Sequence, residues 1–280
     1  MNYPKILTIQ DISCVGQCSL TVALPILSAC GIETCILPSA VLSTHTSGFK
    51  NFTCHDLTDD MPAILEHWKQ ENIKFDAIYT GYLGNEKQIH HVIDIFKNFG
   101  TENCKLFVDP VIGDNGKFYP AFDNNYINAM KPLCFGADFI LPNLTEACML
   151  TDTPYQESYD KEFIFNIIHK LKNLSGLKTI ILTGISFEKQ TTGVFIAEKN
   201  QPIQYYQHKK IAKNCHGTGD IFASTFVGAY LHGFTAYESA KISADYTVSC
   251  IEKTKDDSSH WYGVKFELAL PELVAKLNAN

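Results

Sequence analysis

The chain is expected to fold as an α/β domain, a doubly wound and mostly parallel sheet with helices on both faces. Three observations carry this. Short runs rich in β-branched and aromatic residues alternate with longer runs of helical period, the rhythm of strand, crossover and strand. At 280 residues and 45% hydrophobic content the chain can fill a sizeable core, with no repeat, low-complexity tract or linker to divide it. A single domain over residues 1–280 follows. Finally, polar clusters fall at the ends of the strand-like runs, where open parallel sheets place their ligands.

Ile6–Gln10 opens the series as a strand, and Cys18–Cys30 follows as a helix that stops before Gly31. Thr34–Pro38 is the next strand and Met61–Asn72 the next helix. Strand Phe75–Thr80, helix Glu86–Phe99 and strand Leu106–Asp109 repeat the unit. Strand Phe139–Leu141 leads into helix Leu144–Thr151, helix Lys161–Leu174 before Gly176, and strand Thr179–Thr183. The rhythm then changes. Gly193–Glu198 and Ile203–His208 are strand-like runs joined by Lys199-Asn200-Gln201-Pro202, a hairpin near a sheet edge. Helices Gly219–His232, Tyr237–Glu252 and Leu268–Leu277 complete the chain.

Charge excludes one class of partner. A formal net charge of −7 and a pI near 5.8 argue against nucleic acid, which needs a field of Lys and Arg. No apolar run reaches the roughly 18 residues of a membrane span, so no membrane partner is expected. The ten cysteines are scattered without zinc-knuckle spacing, and the opening residues carry no apolar leader. They read as reduced, mostly structural thiols of a cytoplasmic protein. Asn51-Phe52-Thr53, Asn143-Leu144-Thr145 and Asn173-Leu174-Ser175 match the glycosylation pattern by chance in that setting.

The strand ends are richer. Phe75–Thr80 runs into Gly81-Tyr82-Leu83-Gly84, and Leu106–Val108 into Asp109-Pro110-Val111-Ile112-Gly113-Asp114. Phe139–Leu141 runs into Pro142-Asn143-Leu144-Thr145-Glu146, and Thr179–Leu182 into Thr183-Gly184. Each has a structural reading beside a functional one. Asn143 with Glu146 three residues later has the form of a capping box. Gly113-Asp114-Asn115-Gly116 reads equally well as a turn. Asp109, at the end of an apolar strand and before Pro110, needs a charge partner to offset desolvation. Acids converging on one strand edge repel unless a metal or its water shell neutralises them, and Mg²⁺ prefers such oxygen sites.

Cys215-His216-Gly217-Thr218-Gly219-Asp220 precedes an apolar helix. The glycines let successive amides face one point, and the positive end of the helix dipole lies there, so the turn reads as an anion hole. Asp220 beside it suits proton abstraction from an attacking hydroxyl. That pairing fits phosphoryl transfer, where positioning and charge stabilisation dominate. The structural alternative is an ordinary helix start with an N-terminal acid.

Taken in order from about Ile6 to Glu252, these clusters resemble the motifs of the ribokinase superfamily, and within it the pyridoxal (vitamin B6) kinases. Val41-Leu42-Ser43-Thr44-His45-Thr46 and the early glycine of Gln10-Asp11-Ile12-Ser13-Cys14-Val15-Gly16 are similar to that family too. The resemblance implies a homodimeric kinase that transfers the γ-phosphoryl of ATP to the hydroxymethyl group of pyridoxal, pyridoxine or pyridoxamine. It implies Asp220 as catalytic base, with Gly217, Thr218 and Gly219 as the anion hole. Asp109, Asp114, Asn143, Glu146 and Thr183 match positions around the nucleotide, with Asp109 and Glu146 reaching Mg²⁺ through water. Thr46 and Tyr82 match positions that touch the vitamin ring, and Tyr119 a tyrosine between the two ligands. A monovalent cation such as K⁺ is within what the resemblance allows.

One departure bears on substrate. Where family members often carry Gln-Ser-His, this chain has Gln10-Asp11-Ile12, which places an acid at the ring and puts vitamer preference in question. The hydroxymethylpyrimidine kinases of thiamine synthesis are the alternative, since His216 before Gly-Thr-Gly resembles them, although their Gly-Ser-Asp opening and paired glycines are absent. Sugar kinases are a third option. A non-catalytic B6-binding descendant is opposed by the intact Asp220 and its glycines. Cys215 reads as a packed small hydrophobe or as a reactive thiol at a helix N-terminus, and His45, beside Thr46, as structural or functional.

Overall fold

The computed structural model describes residues 3–173, 179–213 and 215–279. In chain order the strands are β1 (Lys5–Ser13), β2 (Glu33–Leu42), β3 (Cys54–Asp56), β4 (Phe75–Thr80), β5 (Gly100–Val108), β6 (Gly113–Asp114), β7 (Lys117–Phe118), β8 (Phe139–Ile140), β9 (Thr179–Ile185), β10 (Thr191–Glu198) and β11 (Gln204–Lys209). The α-helices are α1 (Leu20–Ala29), α2 (Met61–Gln70), α3 (Glu86–Phe99), α4 (Asn124–Gly136), α5 (Leu144–Leu150), α6 (Lys161–Asn173), α7 (Thr218–His232), α8 (Ala236–Thr254) and α9 (Leu270–Leu277). The main sheet runs β11-β10-β9-β8-β5-β4-β1-β2-β3. Its centre is parallel from β2 through β9, and β3, β10 and β11 add antiparallel edges.

The central strands are covered on both faces, which explains their unbroken apolar runs. Alternate residues go to opposite cores. Leu7, Ile78, Val108 and Ile140 pack with α2 to α6, whereas Ile6, Tyr79, Phe107 and Phe139 pack with α1, α7, α8 and α9. The chain lays β2 on one side of β1 and then crosses to β4 on the other, so the winding direction switches at β1. A crevice beyond the carboxyl ends of β1 and β4 is the expected ligand site of such a sheet.

The structure adds elements and moves boundaries. α4 was not expected. Pro132 lies inside it and removes one backbone donor, and the helix persists because Tyr126, Ile127, Met130 and Leu133 are buried against α3 and the sheet. β3 is too short and too exposed to show a period. The first helix starts at Leu20 rather than Cys18, α7 at Thr218 rather than Gly219, and the last helical segment divides into a 3₁₀ turn at Phe266–Leu268 and α9. The expected end of the sixth helix at Leu174, and Gly176 after it, lie outside the described residues. The hairpin of β10 and β11 forms as expected at the sheet edge, in register Val194 to Tyr206.

Candidate active site

α7 brings its N-terminus to the carboxyl edge of the sheet. Gly217 adopts φ 77°, and a Cβ there would overlap the carbonyl oxygen of Gln17, so this position admits only glycine. The Ile221 amide bonds the Gly217 carbonyl at 3.0 Å, the first bond of the helix, so the amides of Thr218, Gly219 and Asp220 precede its ladder. Thr218 Oγ1 donates to the Cys215 carbonyl at 3.4 Å and tightens the turn. A side chain at Gly219 would meet open space, so an incoming group can approach the amides there.

Asp220 is half-buried at this turn, and burial pushes its carboxyl up to about 7, with Asp11 adding repulsion and the Ser19 amide opposing. Asp11 lies at the end of β1, where Gln10 pairs with Pro38 and Ile12 with Val41, an irregularity that leaves Asp11 outside the regular ladder. The Ser13 hydroxyl donates to Asp11 Oδ2 at 3.1 Å. Burial raises the Asp11 carboxyl, and the hydroxyls of Ser19 and Ser13 counter it. Ser19 therefore serves both acids, its side chain toward Asp11 and its amide toward Asp220. Sequence reasoning missed it. The available signal was a serine in N-cap position before Leu20, and that serine makes no cap hydrogen bond with its side chain.

Asp109 directly follows β5, its amide bonded to the Thr80 carbonyl at 2.9 Å. Burial holds its carboxyl well above the usual range, with Glu146 and then Asp220 adding repulsion. Val111 takes φ 44°, a costly conformation for a β-branched residue, and its amide faces the Asp109 carboxylate. The capping box expected at Asn143 is present: Asn143 Oδ1 accepts the Glu146 amide at 3.0 Å, and Glu146 Oε2 accepts the Asn143 amide at 2.9 Å. Glu146 Oε1 also accepts the Ile112 amide at 2.9 Å. Burial nevertheless lifts the Glu146 carboxyl to about 7.

Asp114 is exposed on a two-residue hairpin, β6 and β7, whose turn residues Asn115 and Gly116 take φ 50° and 73°. The turn reading of this stretch therefore holds, and Asp114 accepts from the Asn115 amide at 2.8 Å. Tyr119 follows, partly exposed, facing Glu146, Asp114, Asp109 and Asp220. Thr183, two residues before the end of β9, bridges to Asn143. Tyr82 packs on Phe122 with ring centroids 5.4 Å apart, and burial pushes its hydroxyl up to about 12, with Asp11 the nearest acid in effect. Thr46 is exposed in the connection between β2 and β3, and among the described residues no hydrogen bond joins it to the acids.

His45 has a structural role. The Ser47 amide donates to its Nδ1 at 3.1 Å, so Nε2 carries the proton given to the Tyr262 carbonyl at 2.8 Å. Burial raises the Cys215 thiol, which packs against the α7 and α8 core, so the packed reading of that cysteine holds. All ten cysteines are free thiols. Among the described residues no helix is long and apolar enough to cross a membrane.

Residues 26–263 match the sequence profile of a family described as phosphomethylpyrimidine kinase. A pyridoxal kinase of Dictyostelium discoideum is 28% identical over 242 residues, 80% of this chain and 78% of that protein. The crystal structure of pyridoxal kinase from Lactobacillus plantarum superposes with a TM-score of 0.91 at 29% identity, covering 100% of this chain and 99% of the other. A Bacteroides thetaiotaomicron protein provisionally named a phosphomethylpyrimidine kinase, crystallised with pyridoxal, superposes with a TM-score of 0.92 at 34% identity, covering 97% and 96%. The matched span includes the Gly217–Asp220 turn, and the chain belongs to the phosphomethylpyrimidine kinase family.

Proposed function

We propose that the protein transfers the γ-phosphoryl group of ATP to the hydroxymethyl group of pyridoxal, pyridoxine or pyridoxamine. The observation that carries the reading is Asp220, a carboxyl raised to about 7 and seated in the first turn of α7 beside amides that precede the helix ladder. A base poised near the operating pH is suited to general catalysis. The acceptor oxygen loses its proton to the Asp220 carboxylate as it bonds the γ-phosphorus, and the bond from that phosphorus to the β,γ-bridging oxygen breaks to release ADP. The amides of the Gly217, Thr218 and Gly219 turn and the α7 dipole meet the charge on the transferring group.

The chain contains no arginine, so a guanidinium takes no part in stabilising that charge. Asp109 and Glu146 offer buried carboxylate oxygens, with Glu146 repelling Asp109, a donor set that fits a hard divalent ion retaining its waters. Bound through these residues, Mg²⁺ supplies positive charge to the nucleotide phosphates. Asn143, Thr183, Asp114 and Tyr119 border the nucleotide side, and Asp11, Tyr82 and Thr46 the acceptor side. Supporting this division, Tyr82 and Asp220 both face Asp11, while Tyr119 and Asp109 both face Glu146. The reading extends to a homodimer in the cytoplasm, with reduced thiols.

The pyridoxal bound by the Bacteroides relative supports a B6 acceptor. The family description and a Mycobacterium tuberculosis hydroxymethylpyrimidine/phosphomethylpyrimidine kinase, 20% identical over 254 residues, keep the thiamine pyrimidine as the competing substrate. A coupled assay with Mg-ATP, in K⁺ and in Na⁺, comparing the three vitamers with the pyrimidine alcohol, tests both. The expected result is the highest kcat/KM for a vitamer. A higher value for the pyrimidine alcohol overturns the B6 reading, and release of ADP with none of them overturns the kinase reading.

A further inference from the structure

Gln88 lies in the first turn of α3 with no exposed surface. A carboxamide buried so completely destabilises the fold unless its oxygen and nitrogen both find partners. Its Oε1 accepts the Gly84 amide at 2.7 Å, and its Nε2 donates to the Ser39 carbonyl at 2.9 Å and to the Thr58 hydroxyl at 2.8 Å. An amide on one side and a carbonyl on the other fix which atom is oxygen. One side chain thus joins the loop after β4, the middle of β2 and the connection from β3 to α2.

That loop is held at adjacent points. Ser39 Oγ donates to the Tyr82 carbonyl at 3.0 Å, and the Tyr126 hydroxyl to the Leu83 carbonyl at 2.9 Å. Successive residues Tyr82, Leu83 and Gly84 are therefore anchored from β2, α4 and α3 in turn. Asn85 doubles the joint, with Nδ2 donating to Thr58 Oγ1 at 2.8 Å and to Asp56 Oδ2 at 3.1 Å. Between Ser39 and Thr58 runs the arm that carries Thr46.

We propose that Gln88 is a positioning residue of the acceptor pocket, latching the Tyr82 loop to the β2–β3 arm and so setting the width of the cleft that receives the aromatic alcohol. This rests on the acceptor-side placement of Tyr82 and Thr46 made above. Gln88 touches neither substrate. It acts through the separation of two walls, so its loss weakens acceptor binding while the nucleotide side, built on β5, β8 and β9, is unaffected.

The test is Gln88→Met, which keeps the length of the side chain and removes its polar atoms, beside Thr58→Val, which removes only the hydroxyl shared by Gln88 and Asn85. Acceptor KM, and pyridoxal Kd by absorbance titration, are expected to rise about tenfold in each, with the KM for ATP within about twofold, the pattern of lost uniform binding on one substrate. The double variant is expected to raise acceptor KM no further than Gln88→Met alone, because both act on one joint. Amide hydrogen exchange should quicken together in residues 81–85 and 43–58, a readout that stands even if no alcohol is phosphorylated. Equal rises in both KM values, additive effects in the double variant, or exchange that quickens in neither segment or in only one would each overturn the latch. If Gln88→Met fails to fold, the same measurements on Thr58→Val decide.

Discussion

Glu146 accepts a hydrogen bond from the amide of Ile112 at 2.9 Å, tying the start of α5 to the loop that follows β5. Its other oxygen accepts the Asn143 amide at 2.9 Å. Glu146→Gln can replace only one of these acceptors, so a stability loss of about 1 kcal/mol is expected, typical of a weakened cap. If the charge also serves Mg²⁺, turnover falls by more than that loss accounts for, and the Mg²⁺ concentration needed for half-maximal rate rises. Melting temperature and a Mg²⁺ titration of kcat decide. An unaltered Mg²⁺ dependence assigns Glu146 to the cap alone.

Asp220→Asn keeps volume and a helix-start side chain while removing the basic oxygen. kcat is expected to fall by roughly 10² to 10⁴, the usual contribution of a positioned base. Dissociation constants for ATP and acceptor should change little, since the lost interaction belongs to the transition state. The melting temperature should hold or rise, because an acid held against desolvation is removed. Near-normal kcat rules out Asp220 as the base.

Burial raises Asp220 and Glu146 to about 7 and Asp109 in the same direction. Unfolded carboxyls titrate near about 4, so between those values the folded protein holds protons that the unfolded chain has released. The stability these groups contribute is present below about pH 4 and lost as pH rises through about 7. Ligand-free protein should therefore melt lower at pH 8 than at pH 5.5, and Mg-ATP should offset that loss. Over the same interval kcat/KM should rise as Asp220 deprotonates, and Asp220→Asn should flatten that limb of the profile.

Asp11 is buried, opposed by Asp220 and faced by Tyr82. Asp11→Ser removes the charge and should change the ratios of kcat/KM among pyridoxal, pyridoxine and pyridoxamine, with the vitamer that brings the most positive charge losing most. Unchanged ratios place Asp11 outside the acceptor site.

The two glycines of the anion turn should respond differently. Gly217→Ala forces a side chain to φ 77° and into the Gln17 carbonyl, and a loss of about 1–3 kcal/mol is expected. Gly219→Ala meets open space, so melting should change little while turnover drops, since the added methyl occupies the approach to the amides. Full activity in Gly219→Ala removes the anion-hole role of that position.

The strands of the central sheet, the capping box at Asn143, the Asn115-Gly116 turn and the glycine-rich start of α7 were legible because each depends on neighbours within a few residues: a β-branched run, a side chain three positions from an amide, a backbone at positive φ. The acids at the strand ends were legible for a related reason, since a parallel sheet sends every such end to one edge. Tertiary structure alone decided the rest. α4 holds through packing that outweighs Pro132, and Ser19 meets Asp11 and Asp220 only because α1 and α7 start at the same corner. In isolation Gln88 is an ordinary polar residue in a helical first turn, and it becomes a fully buried joint only when β2, the β3–α2 connection and the loop after β4 close around it. Local chemistry can be read along the chain; which side chains a fold buries together depends on the crossovers, and those bring into contact residues that no local pattern relates.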